Sequence, residues 1–281
     1  MPTFAANLTM LWTELDPYQR FAAAAGHGFR HVEMLFPHEL DAARLEGTLR
    51  EHQLDLVLFD PAPGNWGVGE RGLLCLPGRE DEFMHSVDEA IALAGRLGTR
   101  RLNALAGIVP DGTSRSTARE VAIANLRRAA PFVERAGLTL LVEPINAIDM
   151  PGYLAVTVEA AVDLVNAAES PAVRLQLDQY HVAMAGSDAI DALRRYAPLV
   201  AHVQVADVPG RHQPGTGEQP IEAFLDELDR IGYEGYVGLE YRPLGSTEES
   251  LAWLEGIPSP LRGGWGGGER ARSSSAEAGR P

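Results

Sequence analysis

The 281-residue sequence has no lysine; every one of its 24 Lys/Arg positions is arginine. Schiff-base aldolase chemistry and Walker-type phosphate binding both depend on a lysine amine, so both are excluded. Cysteine is nearly absent. Cys75 stands alone, which rules out an intramolecular disulfide, a Cys-rich zinc site and a dithiol redox centre, and makes a reducing cytoplasm the expected setting. No run of 18 or more apolar residues occurs, and the opening MPTFAANLTMLW lacks a basic segment followed by a long apolar one. Neither a membrane span nor an export signal is expected. Positive charge is scarce as well: 39 acidic residues against 24 basic ones give a formal net charge of −15. No nucleic-acid partner is expected of such a chain, because phosphate binding needs a basic surface to release counterions.

What is present is an ordinary globular composition, 45% hydrophobic and 22% charged, enough for one barrel-sized domain or two small ones. The chain is organised around residues 138–146, LTLLVEPIN. An apolar run of this length reads as a strand buried on both faces, as in a parallel sheet. It ends in Glu143, and Pro144 keeps the following backbone extended. Seven other strand-like runs accompany it, at 3–6, 31–35, 55–59, 101–105, 174–177, 201–205 and 236–239. Helical spacing lies between them, as in 82–97 with Phe83, Val87, Ile91, Ala94 and Leu97, and again in 118–135 and 221–231. Eight such alternations predict an α/β fold, a single (β/α)8 TIM barrel over residues 1–255 rather than an open sheet. No G-x-G-x-x-G follows the first strand, which argues against a dinucleotide fold. Residues 256–281, rich in Gly, Ser, Pro and Arg, read as a disordered tail.

Four consecutive strands end in oxygen-bearing side chains: Glu143 in LLVEPIN, Asp178 in LQLDQYH, Gln204 in HVQVAD and Glu240 in VGLEYRP. On a parallel barrel all four converge on one mouth, where barrels site their chemistry. Three carboxylates and an amide oxygen form a hard donor set suited to Mg²⁺ or Mn²⁺ rather than zinc. A lone acid at a strand end more often caps a helix or pairs with a cation; four on adjacent strands weigh against that reading. The long loop DPAPGNWGVGERGLLCLPGR after the third strand carries Arg71 and Arg79, and DVPGRHQPGTGE after the seventh carries Asp207, Arg211 and His212. Arg71, His181, Asp207 and Arg211 are the candidate substrate contacts, an arginine being suited to clamping a carboxylate through two parallel hydrogen bonds. His181 is equally readable as a structural histidine or as a group orienting Asp178. GVGERG is a weak phosphate motif, since it does not lead from a buried strand into a helix. Trp12, Trp66 and Tyr241 could line the pocket, although rim aromatics more often cover core.

These pieces together resemble the hydroxypyruvate isomerase family of the xylose-isomerase-like barrels. The resemblance runs through FAANLTMLW, GFRHVEMLFP, GNWGVGERG with CLPGRE, LLVEPIN with MPGY, LDQYH, HVQVADVPGR with PGTGE, and VGLEY. It implies that Glu143 and Glu240 transfer the proton, that Glu143, Asp178, Gln204 and Glu240 hold a divalent metal, and that the partner is a small hydroxy-oxo acid. A 2-oxo-tetronate isomerase of the same family is the nearest alternative; a sugar epimerase and a non-catalytic sugar-acid-binding barrel are others. Related epimerases commonly carry histidine where Gln204 stands. Some relatives carry histidine at the end of the third strand, where Phe59 and Asp60 stand here, so no polar substrate contact is counted on from that strand. A homo-oligomer is left open.

Overall fold

The computed structural model describes residues 3–257. Eight strands, β1 (Thr3–Asn7), β2 (His31–Glu33), β3 (Asp55–Phe59), β4 (Arg101–Asn103), β5 (Thr139–Val142), β6 (Val173–Asp178), β7 (Val200–Val205) and β8 (Tyr236–Leu239), run parallel in sequence order, and β8 pairs with β1 to close the barrel. The single (β/α)8 barrel expected from the alternation is therefore the fold. Outside it lie the helices Pro17–Gly26, Ala42–His52, Glu80–Leu97, Arg115–Arg135, Val158–Ala168, Ala189–Tyr196 and Ile221–Arg230. The short helix Thr247–Ser250 and the 3-10 turn Ala252–Gly256 take the eighth outer position. None of the described helices is long and apolar enough to cross a membrane.

The strands explain both the core and the site. Side chains alternate faces along a strand, so residues two apart share one. Leu140 and Val142, Leu175 and Leu177, Val203 and Val205, and Val237 and Leu239 face outward into the large cluster shared with the helices. Each such fully buried side chain contributes about 1.5–3 kcal/mol of transfer free energy. The intervening residues face the barrel axis, where Ala5, Val57, Leu58 and Leu141 form a separate small apolar plug. Above that plug the inward positions turn polar. The next inward residue after Leu141 is Glu143, and Gln176 is followed by Asp178, His202 by Gln204 and Gly238 by Glu240.

Two strands are shorter than the apolar runs suggested. β2 stops at Glu33, next to a register irregularity against β3 between Val32 and Glu33. β4 stops at Asn103 rather than at 105. Beyond it the backbone turns through Gly107 (φ 92°) to meet the loop after β3. A Cβ on Gly72 would lie 2.2 Å from the Leu105 carbonyl oxygen, so the loop docks there only because it has glycine. Of the expected tail, 258–281 lies outside the described residues. Ile257 is 4% exposed and packs in the core cluster.

Candidate active site

A cavity of about 460 Å³ opens at the C-terminal ends of the strands, and Glu143, Gln204, Glu240, His181, Arg211 and Arg71 all line it. Asp178, fully buried at the end of β6, uses its two oxygens differently. Oδ1 accepts from the Tyr180 backbone N–H at 2.9 Å and caps the helix Gln179–Met184, while Oδ2 faces Arg211 Nη2 at 3.2 Å and His181 Nε2 at 3.6 Å. The residue is thus a helix cap and a site group at once. Glu240 Oε1 lies 3.2 Å from the same Arg211 nitrogen. Glu143 Oε2 accepts from Asn103 Nδ2 at 2.8 Å.

Burial first, and then the crowding of carboxyls, sets the electrostatics. Burial, then the charges of Glu240 and Asp178, push the Glu143 carboxyl well above the usual range. Burial raises Glu240 strongly as well, against the opposing charge of Arg211. Asp178 is pushed up to about 6 by burial, with Arg211 and the Tyr180 N–H pulling the other way. Desolvation works against the Arg211 charge, yet Glu240, Asp178 and Glu143 outweigh it and hold the guanidinium charged. This side chain projects from a residue in the left-handed region (φ 54°), a conformation a non-glycine residue adopts at some cost.

Its loop is secured by Asp207. That carboxylate accepts four backbone N–H groups, from Val208, Gly215, Gly217 and Gln219 at 2.8–3.0 Å, and Asp207, expected as a substrate contact, is not among the residues that line the cavity. With both oxygens consumed it organises the loop that carries Arg211. His212 pins the same loop through Nδ1 and the Arg242 carbonyl at 2.8 Å. Arg71 lies at the rim with its guanidinium 4.0 Å from the Trp66 ring centroid and bonded to the Trp66 and Glu70 carbonyls. Arg79 is drawn away by Glu70 and Glu82. Of the three aromatics, only Trp66 lines the cavity; Trp12 bonds Glu248 and Tyr241 bonds the Ser250 carbonyl, both within the core.

His181 has a determined tautomer. Asn146 Oδ1 accepts from the Ile148 and Asp149 backbone N–H groups, so its amide nitrogen is the atom 2.7 Å from His181 Nδ1. Nδ1 is therefore the acceptor, and the ring proton sits on Nε2, facing Asp178. Burial and then the Arg211 charge hold this imidazole well below its ordinary range, so it offers the cavity a neutral N–H donor. Asp60, at the end of the third strand where no polar contact is expected, is buried and lines the cavity. Burial and then the charges of Glu143 and Glu33 push its carboxyl well above the usual range. Also unforeseen are Asn7, Glu33, Asn103 and Gln176, which line the cavity floor. The sequence signal for them is a polar residue at an inward strand position.

The donor chemistry fits a divalent cation. Glu143, Asp178 and His181 bring ligand atoms within 4.8 Å of one another, and buried carboxylate oxygens are hard donors of the kind such an ion takes. Because Nε2 of His181 carries its proton, the oxygens of Glu143 and Asp178 are the ligands this group offers. Gln204 and Glu240 line the same cavity.

A closed (β/α)8 barrel with a buried, oxygen-rich acidic cavity at its C-terminal mouth defines a TIM-barrel protein built for acid–base or metal-assisted chemistry. The chain belongs to the xylose isomerase-like TIM barrel family, whose model matches residues 21–257. It is 40% identical to a 2-oxo-tetronate isomerase of Cupriavidus necator, over 91% of this chain and 98% of the relative. It is 36% identical to a hydroxypyruvate isomerase of Escherichia coli, over 91% and 99%. A solved barrel from Brucella melitensis, described as AP endonuclease, family 2, superposes with a TM-score of 0.89 at 42% identity, over 92% of this chain and 99% of that one.

Proposed function

We propose that this protein is an isomerase of the aldose–ketose type that interconverts hydroxypyruvate and 2-hydroxy-3-oxopropanoate. The observation that carries the reading is the meeting of Glu143, Glu240 and Gln204 with Arg211 and His181 in one cavity, beside the buried Asp178. The relatives named above support the substrate class. The two acids differ by the position of a carbonyl on adjacent carbons. Interconversion removes a proton from the hydroxymethyl carbon of hydroxypyruvate, leaves an enediolate, and returns a proton to the neighbouring carbon, while the hydroxyl proton passes from the oxygen of the first carbon to that of the second.

Glu143 and Glu240 are the proton-transferring pair. Crowded buried carboxyls do not all ionise together, so one can hold a proton while another stands ready to accept one, the division of labour this reaction needs. Asn103 holds one Glu143 oxygen and Arg211 one Glu240 oxygen, leaving each a second oxygen for the substrate. Arg211 and the Nε2–H of His181 bind the substrate carboxylate, with Arg71 at the rim. Glu143, Asp178, Gln204 and Glu240 would hold Mg²⁺ or Mn²⁺, which when bound would stabilise the negative charge developing on the substrate oxygens. A small-molecule partner goes with this chemistry and a reducing cytoplasm with the single cysteine, and the net charge of −15 opposes DNA as substrate.

A four-carbon 2-oxo-tetronate is the second reading, favoured by the 40% and 38% identical relatives of that name from Cupriavidus necator and Pectobacterium atrosepticum. It needs the same acids in a roomier pocket. Proton NMR of both substrates with the purified protein, with Mg²⁺ or Mn²⁺ and with chelator, tests both. Faster turnover of hydroxypyruvate supports the first reading, faster turnover of the tetronate the second, and turnover of neither under any metal condition defeats both.

A further inference from the structure

Beneath the acidic cluster lies a carboxylate the mechanism does not use. Glu33 is fully buried at the end of β2, and its side chain crosses the inside of the barrel to β7. Two strands, β1 and β8, lie between. β1 supplies a donor on the way, Asn7 Nδ2 to Oε1 at 2.9 Å. β8 supplies room, because a Cβ on Gly238 would sit 2.3 and 2.4 Å from the two Glu33 oxygens. On β7 the carboxylate meets two inward residues: His202 Nε2 at 2.7 Å from Oε2, and Gln204 Nε2 at 2.8 Å from Oε1. Three donors from two strands thus converge on one carboxylate, in a layer where branched apolar side chains usually fill a barrel.

The contact with Gln204 has a directional consequence. A carboxylate only accepts, so the Gln204 atom facing Glu33 must be its NH₂ group. The amide oxygen is then turned the other way, where Gln176 Nε2 donates to it at 2.7 Å. It is the Glu33 carboxylate that excludes the flipped amide, since a flip would set an oxygen against it; Gln176, itself an amide, follows the orientation that Glu33 imposes. Hard divalent ions bind the oxygen of an amide and never its protonated nitrogen. We infer that Glu33 is a positioning residue: it orients the side-chain amide of Gln204 so that its oxygen, rather than its NH₂, is the ligand presented to the divalent ion. The inference rests on the metal reading given above, and it assigns a role to a strand-end acid within HVEMLFP that the proton transfer leaves idle.

The test is a Mn²⁺ titration, followed by the electron paramagnetic resonance of free ion, on wild type, Glu33→Met, Gln204→Ala and the double variant. Methionine keeps the length of Glu33 and removes both acceptor oxygens. Loss of such a supporting contact weakens metal binding by about 10–100-fold, and Glu33→Met is expected in that range. If Glu33 acts through Gln204, the double variant binds Mn²⁺ no more weakly than Gln204→Ala alone. Losses that multiply in the double variant would mean that Glu33 acts by its charge alone, and would overturn the proposal. Unchanged affinity in Glu33→Met overturns it too. Gly238→Ala, which displaces the carboxylate while retaining every polar group, carries the same cycle with Gln204→Ala should Glu33→Met fail to fold. Wild-type protein that binds no Mn²⁺ defeats the metal reading itself and this proposal with it, whereas binding by wild type with an unaffected Glu33 variant defeats only the proposal.

Discussion

Replacing Arg211 with methionine removes a cation that lies 3.2 Å from both Asp178 and Glu240, and its effect on stability should depend on pH in a defined direction. Breaking a buried ion pair by deleting one member costs about 3–5 kcal/mol if the other member stays charged. A carboxyl with a raised folded-state pKa escapes part of that cost by taking up a proton. Asp178 is already carried by burial from an ordinary 3.8 to about 6 with Arg211 beside it. A group raised in the folded state contributes stability that is fully present below its unfolded value and is lost as pH rises through the folded one, here about 3 kcal/mol across the window from 3.8 to 6. Arg211 is the largest influence holding Asp178 and Glu240 down, so its removal raises both and extends the loss to higher pH. The variant should therefore melt near wild type at pH 5 and well below it at pH 8. There, 3–5 kcal/mol corresponds to a drop in Tm of roughly 6–20 °C for a domain of this size. Mn²⁺ should restore most of that difference, because it replaces the lost positive charge. Kinetically, KM for hydroxypyruvate should rise more than kcat falls, since a contact made equally to substrate and transition state is gone. Thermal melts from pH 5 to 8 with and without Mn²⁺, alongside steady-state kinetics, check all of this. A Tm loss that is uniform in pH or largest at pH 5, or an unchanged KM, would refute the reasoning.

Glu143→Gln and Glu240→Gln keep an oxygen ligand and remove the exchangeable proton. Each should lower kcat by about two or more powers of ten while Mn²⁺ still binds, and deuterium exchange from solvent into hydroxypyruvate should fall in parallel; exchange at the wild-type rate in Glu240→Gln would leave that residue a ligand only. Asp178→Asn and Gln204→Ala should weaken metal binding first, with activity partly recovered at high Mg²⁺ or Mn²⁺, so a loss that no metal concentration recovers would contradict their assignment. Truncation after Ile257 should leave Tm and activity nearly unchanged, whereas removing Ile257 as well deletes a residue packed in the core and should lower Tm measurably.

The barrel, and the gathering of four candidate residues at its mouth, were legible in the chain because both are written in local pattern. LTLLVEPIN announces a strand buried on both faces and the acid at its end, and β6, β7 and β8 repeat the arrangement with Asp178, Gln204 and Glu240. Short-range rules of alternation and chain direction then suffice to send all four to one mouth. The layer below was not legible. Glu33, Asn103, Gln176 and His202 occupy inward positions on their strands, yet a polar residue at such a position looks the same in sequence whether it meets a partner or water. Their roles depend on atoms 26 to 171 residues away, as in the bond from Gln204 to Glu33. Charge pairing was equally hidden. Arg211, Arg71 and Arg79 are all loop arginines in sequence, and only the folded loops turn Arg211 inward to two carboxylates, stack Arg71 on Trp66 and hand Arg79 to Glu70. The same holds for Asp207, whose neighbours suggested a substrate contact but whose oxygens are taken by the loop's own N–H groups. Strand periodicity is a property of adjacent residues and survives in one dimension; which buried donor meets which acceptor is decided by barrel closure, which brings β2 and β7 within reach of one side chain.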